Sequence, residues 1–214
     1  MKAAFYDAYG TLFDVHSAVR ARAEVIGPQA ERLSLLWRDK QLEYSWVHAL
    51  MEDYVDFHEL TRRALRFAIS DCAVDAVHEA PLMEAYQTLD AYPEIAAHLA
   101  QRKADGVVTG ILSNGSPAML RAAVGSAGIG SQLDHVLSVD RIGTFKTRAE
   151  TYAMVMEATN LSSPADIVFH SSNRWDVAGA ARFGFQTTWV NRTGRPDEYP
   201  DHRPNRIVAS LEEA

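Results

Sequence analysis

The chain has 214 residues, with 21 Lys and Arg against 28 Asp and Glu, a formal net charge of −7. An apolar fraction of 47% and a charged fraction of 23% exclude a disordered chain, and the length suffices for a buried core. The negative balance argues against nonspecific partnership with nucleic acid or an anionic membrane surface. A single cysteine, Cys72, excludes an internal disulfide framework and a cysteine zinc cluster. No segment has the length and apolarity of a secretory leader or a membrane span, so the cytoplasm is the expected compartment.

Ala3 to Asp7 is a short apolar run ending in an acid, the pattern of a buried strand. Gly10 and Thr11 then close a tight loop. Glu31 to Met51 lacks Gly and Pro, and Leu35, Leu36, Leu42, Trp46 and Leu50 recur near helical spacing. Asp56–Ile69 and Ala80–Leu89 also read as helices, and no strand pattern interrupts Val15 to Tyr92. From Pro93 onward the chain alternates. Helices are expected at 94–103, from Pro117, at 149–159 and at 176–183, with strands at 107–112, 133–139, 167–170 and 187–190. Such alternation predicts an α/β fold, a Rossmann-like parallel sheet with helices on both faces. A Pro- and charge-rich tail after Asn191 is expected to wrap the surface.

Polar residues gather just beyond the strands: Asp7, Ser113, Lys146 and Ser171. In open α/β sheets that edge binds ligands. Taken singly, each residue keeps an ordinary reading beside the functional one. Asp7 is a nucleophile, a metal ligand, a cap or a turn acid. Arg38 is a site cation or a surface arginine paired with Asp39 or Glu43. Lys146 is a solvated lysine or a site cation. Asp176 is a base or an acid stabilising a helix N-terminus. Gly125-Ser-Ala-Gly128-Ile-Gly130 follows a helix and is not a dinucleotide fingerprint.

Four segments in order resemble the haloacid dehalogenase superfamily: Phe5-Tyr6-Asp7-Ala8-Tyr9-Gly10-Thr11-Leu12, Leu112-Ser113-Asn114-Gly115, Lys146, and Ser171-Ser172-Asn173-Arg174-Trp175-Asp176. The segment Leu36-Trp37-Arg38-Asp39-Lys40-Gln41-Leu42-Glu43-Tyr44 is similar to the L-2-haloacid dehalogenase branch. The resemblance spans essentially the whole chain. It implies a core domain at 1–14 and 93–214 and a helical cap domain at 15–92.

The resemblance further implies hydrolytic, inverting dehalogenation of short L-2-haloalkanoic acids to D-2-hydroxy acids through an ester on Asp7. Thr11, Ser113, Asn114, Lys146, Tyr152, Ser171, Asn173 and Asp176 would complete the catalytic set. Arg38 would cradle the departing halide, and Tyr9, Leu42, Phe57 and Trp175 would wall the substrate, with Ser113 and Asn114 at its carboxylate. No cofactor and no metal are expected. Phosphatases of the superfamily place an acid two residues after the nucleophile and further acids in the fourth segment; here Tyr9 and Ser172 stand there. The partners implied are the haloacid, halide ion and a second copy in a homodimer. A Mg²⁺-dependent phosphatase and a catalytically idle binding protein are the alternatives. Thr147, Asp39 and His170 depart from the family pattern, where Pro, Gln and a small apolar residue are usual.

Overall fold

A computed structural model describes residues 1–214. Six strands form one sheet: β1 (Ala3–Tyr6), β2 (Val108–Ser113), β3 (His135–Ser138), β4 (Ile167–Ser171), β5 (Gln186–Val190) and β6 (Arg206–Val208). Their order is β3-β2-β1-β4-β5-β6, and every pair is parallel. The helices are α1 (Ser17–Arg20), α2 (Ala23–Ile26), α3 (Ala30–Met51), α4 (Phe57–Asp71), α5 (Glu79–Ala85), α6 (Ile95–Ala104), α7 (Pro117–Ser126), α8 (Ala149–Thr159) and α9 (Arg174–Phe183). None is long and apolar enough to cross a membrane.

β1 is the buried centre of the sheet: Ala3, Ala4, Phe5 and Tyr6 are all inaccessible. A strand covered on both faces reads as a continuous apolar run, as this one does. Register pairs Tyr6 with Ile111 on one side and His170 on the other. Asp7 and Ser171, one residue further on, and Ser113, two residues past Ile111, therefore reach the same sheet edge. The strand order reverses direction at β1, which places that edge at a topological switch point.

The chain leaves the sheet at Phe13 and returns at Ala91, and these two residues form an antiparallel bridge. Asp14 N donates to Asp90 O (2.8 Å) and Tyr92 N to Leu12 O (3.0 Å). The helices between pack chiefly as the α3·α4 pair. In α4, Phe57, Leu60, Thr61, Ala64, Leu65, Ala68 and Ile69 are buried, an unbroken i, i+3, i+4 stripe. The Asp56 side chain caps this helix by accepting from His58 N and Glu59 N.

In α3 the buried face differs from the leucine stripe of the sequence. Ala30, Leu33, Ser34, Trp37, Gln41 and Ser45 face inward, while Leu35, Trp46 and Leu50 are exposed. The reason is specific pairing. Trp37 Nε1 donates to Thr61 O (2.8 Å), and Gln41 Nε2 donates to Thr61 Oγ1 (2.7 Å) and Tyr86 Oη (3.1 Å). A buried amide satisfied in this way fixes the rotation of the helix. The tail after Asn191 also departs from expectation. It does not merely wrap the surface, because residues 206–208 pair with β5 as the outer strand. Likewise α9 opens at Arg174, two residues before the expected start.

Candidate active site

The loop after β1 carries Asp7 and turns sharply at Gly10, whose φ of +94° suits only a residue without a side chain. Asp7 is nearly buried, and its two oxygens have separate partners. Oδ1 accepts from Lys146 Nζ (3.1 Å). Oδ2 accepts from Asn173 Nδ2 (2.6 Å) and Thr11 Oγ1 (3.3 Å), with Ser171 Oγ at 3.5 Å. Thr11 is held in turn, since its hydroxyl accepts Ser172 N–H (2.8 Å).

Lys146 is fully buried and bridges two carboxylates, with Nζ 2.8 Å from Asp176 Oδ2. Burial would lower its pKa, but Asp176 and Asp7 outweigh burial and hold it above the usual lysine value. Burial pushes Asp176 up to about 6, with the Lys146 ammonium pulling the other way and Asp7 adding to the rise. Asp176 Oδ1 also accepts from Tyr152 Oη (2.8 Å), and burial next to this carboxylate keeps the phenol protonated. Gly179, one turn beyond Asp176 on α9, admits Tyr152; a side chain there would overlap the hydroxyl and Thr147. The Asn114 carboxamide joins the set through the backbone, Oδ1 accepting Lys146 N–H (3.0 Å). The Ser113 hydroxyl accepts Gly115 N–H (3.1 Å) at the end of β2.

Arg38 enters from α3. Its Nη2 donates to Tyr9 O and Asn173 Oδ1, both at 3.1 Å, and its Nη1 donates to Gln41 Oε1 (2.8 Å). All three acceptors are neutral, and no carboxylate pairs with this guanidinium. A half-buried cation without a counter-ion favours an anion beside it. The surface pairings open to Arg38 in the sequence are thus absent: Glu43 pairs with Lys40.

The expected apolar wall divides in two. Tyr9 and Phe57 are buried together, rings 6.2 Å apart, with Tyr86 stacked on Tyr9 at 5.7 Å. Leu42 and Trp175 instead line an outer groove of about 480 Å³ together with Arg38, Asn173 and Gly10, and neither Tyr9 nor Phe57 borders it. Trp46 closes edge-on to Trp175 at 5.5 Å. Sequence reasoning missed Gln41 and Tyr86, which orient Arg38 and Tyr9. The signal for Gln41 is its i+3 spacing from Arg38.

A nucleophile-capable carboxylate held by a lysine and hydroxyl and amide donors, at the switch point of a parallel sheet, defines a hydrolase of α/β architecture. The model of the haloacid dehalogenase-like hydrolases matches residues 1–184, and the chain belongs to that family. An (S)-2-haloacid dehalogenase 4A of Burkholderia cepacia is 42% identical over 215 residues, covering 100% of this chain and 93% of the relative. A solved dehalogenase superposes with a TM-score of 0.97 at 42% identity, covering 100% of this chain and 95% of the other. The L-2-haloacid dehalogenase of Xanthobacter autotrophicus with chloropropionic acid covalently bound gives 0.90 at 36% identity, covering 100% and 96%.

Proposed function

We propose that this chain is an (S)-2-haloacid dehalogenase, hydrolysing the carbon–halogen bond of short L-2-haloalkanoic acids. The observation that carries the reading is the pairing of a carboxylate fixed by four donors with a guanidinium that lacks an acid partner, joined through Asn173. The similarity to (S)-2-haloacid dehalogenases, one of them with chloropropionic acid covalently bound, points the same way.

An Asp7 oxygen attacks C2 of the haloacid from behind the carbon–halogen bond. The bonding pair leaves with the halogen as halide, toward Arg38, and an ester with inverted configuration forms. Water then adds to the Asp7 carbonyl carbon, losing a proton to Asp176; the ester C–O bond to Asp7 breaks, the departing alkoxide takes that proton back from Asp176, the D-2-hydroxy acid leaves, and the regenerated Asp7 carboxyl loses the remaining water proton to solvent. A carboxyl held near 6 suits that proton transfer at neutral pH. Lys146 sets its positive charge against Asp7 Oδ1, offsetting the repulsion between this carboxylate and an anionic substrate. Asn173, Thr11 and Ser171 fix the rotamer of Asp7, and Tyr152 orients Asp176. Ser113 and Asn114 take the substrate carboxylate. Tyr9 and Phe57 supply the inner wall, with Leu42 and Trp175 toward the groove.

Metal-independent chemistry is supported by the donor set. Lys146 already bridges the two carboxylates. The Ser172 hydroxyl is committed to Gly10 O, and Tyr9, a phenol that burial makes weaker still as an acid, stands where a phosphatase places a carboxyl. Halide is a weak base and needs no proton. These features disfavour a phosphatase. Residues 15–92 act as the cap over the core formed by 1–14 and 93–214, a reading supported by the Phe13–Ala91 stem. Trp46, Val47, Leu50 and Met51, exposed on α3, support a homodimer. Poverty in cysteine supports a cytoplasmic location.

The test is halide release from both enantiomers of 2-chloro- and 2-bromopropionate, followed by one turnover in H₂¹⁸O. Release from the L-acid and label in Asp7 are expected; label appearing directly in the hydroxy acid would exclude the ester route.

A further inference from the structure

Arg192, just past β5, meets three separate stretches of chain. Its Nη2 donates to Thr11 O (3.0 Å) in the loop that carries Asp7. The same guanidinium lies 2.7 Å from Glu94 Oε1 and 3.7 Å above the ring of Tyr92, where the chain has returned from the insertion. Glu94 is buried and Tyr92 half-buried. Tyr92 N in turn donates to Leu12 O, so Arg192 and Tyr92 grip successive carbonyls of the loop, at Thr11 and Leu12.

We infer that Arg192 is a positioning residue for the reaction. It acts through Thr11 to hold the Asp7 loop in its reactive shape. The chain of contact is short. Arg192 fixes the Thr11 carbonyl, and the Thr11 hydroxyl reaches Asp7 Oδ2 and accepts the Ser172 amide. No other side chain and no backbone N–H donates to the Thr11 carbonyl. The loop's own ladder is thin: Thr11, Leu12 and Phe13 N–H all converge on the single carbonyl of Ala8, at 3.3, 2.9 and 3.0 Å, with one further bond, Gly10 N–H to Phe13 O (2.7 Å). Three donors on one acceptor leave the turn dependent on outside support. A planar guanidinium alone can serve a carbonyl, a carboxylate and a ring face at once.

The inference rests on the dehalogenase reading, and the experiment separates the two. Arg192→Met, Arg192→Lys and the double variant Arg192→Met/Glu94→Gln are compared with the wild-type chain for kcat and KM on L-2-chloropropionate, Tm, and amide hydrogen exchange at residues 11–13. Arg192→Met should lower kcat by about 10- to 100-fold with KM changed less than about threefold, the cost of a small displacement of the nucleophile. Exchange at 11–13 should accelerate. The double variant, freed of a buried unpaired acid, should regain Tm without regaining kcat or slow exchange. Arg192→Lys should recover part of kcat. Recovery of kcat in parallel with Tm would reduce Arg192 to a structural role and overturn the inference. So would a raised KM at unchanged kcat, or unchanged exchange. A wild-type chain that releases no halide would overturn the dehalogenase reading instead, and the exchange measurement would still decide whether Arg192 holds the loop.

Discussion

His170 lies on β4 beside Tyr6, its ring stacked on that phenol at 4.8 Å and edge-on to His98 at 6.0 Å. Neither ring nitrogen has a hydrogen-bond partner. Burial, with added repulsion from His98, Arg102 and Arg206, lowers its pKa from 6.5 to about 3. The unfolded chain therefore binds this proton first, so stability is intact above pH 6.5 and is lost as pH falls toward 3. With those two values, linkage gives a loss of about 2 kcal/mol between pH 7.5 and pH 5, and about 3 kcal/mol by pH 4. His170→Phe keeps the stacking and forfeits no hydrogen bond, so at pH 7.5 it should be at least as stable as the wild type. Urea unfolding of both chains at pH 7.5 and 5 measures the difference. His98 titrates in both chains, so the comparison isolates His170. Equal acid losses in the two chains would refute the placement of a neutral, unpartnered histidine in the core.

Arg38→Lys keeps the charge but loses the fork that spans Tyr9 O, Asn173 and Gln41. It should lower kcat about 10²- to 10³-fold, more on chloro- than on bromo-acids, with little change in KM; steady-state kinetics on both acids would show otherwise if kcat held. Single-turnover hydrolysis of the ester should slow as pH falls through about 6, because Asp176 must be ionised to accept the proton. A flat rate between pH 5 and 8 would remove Asp176 as the base. In Asp176→Asn, one equivalent of halide should be released without turnover, read as a burst by ion chromatography. Dehalogenation should persist in EDTA; a loss restored by Mg²⁺ would show that the donor set had been misjudged.

The parallel sheet is legible because its strands are short apolar runs between helical stretches, each ending in a polar residue. α4 is legible for a similar reason, its stripe being amphipathic without interruption. β6 is not: Arg206 and Ile207 are exposed, and a three-residue strand pairing through backbone alone leaves no side-chain period. The buried face of α3 is likewise hidden. Gln41 and Ser45 resemble surface residues until Thr61 and Tyr86, distant in sequence, satisfy the amide. Within the site, Asp7, Lys146 and Asp176 stand where strand ends predict chemistry. The division of Leu42 and Trp175 from Tyr9 and Phe57 depends on how the helical insertion seats over the sheet, which periodicity does not encode. Arg192 carries no local signature, because the carbonyl it serves lies 181 positions away.

The central place of β1 has a consequence for assembly. Asp7 meets Lys146 across 139 positions of chain and Asn173 across 166. Its strand has no sheet neighbour until β2 arrives, with the whole helical insertion intervening, and is paired on both edges only once β4 has joined. Pairings of such long span form slowly, since loop closure must precede any reward. A chain halted before β4 would leave one edge of the apolar strand β1 unpaired and Asp7 without Ser171 and Asn173. Activity and burial of the aggregation-prone centre are therefore acquired in the same late step, and partly folded intermediates would be both inert and sticky.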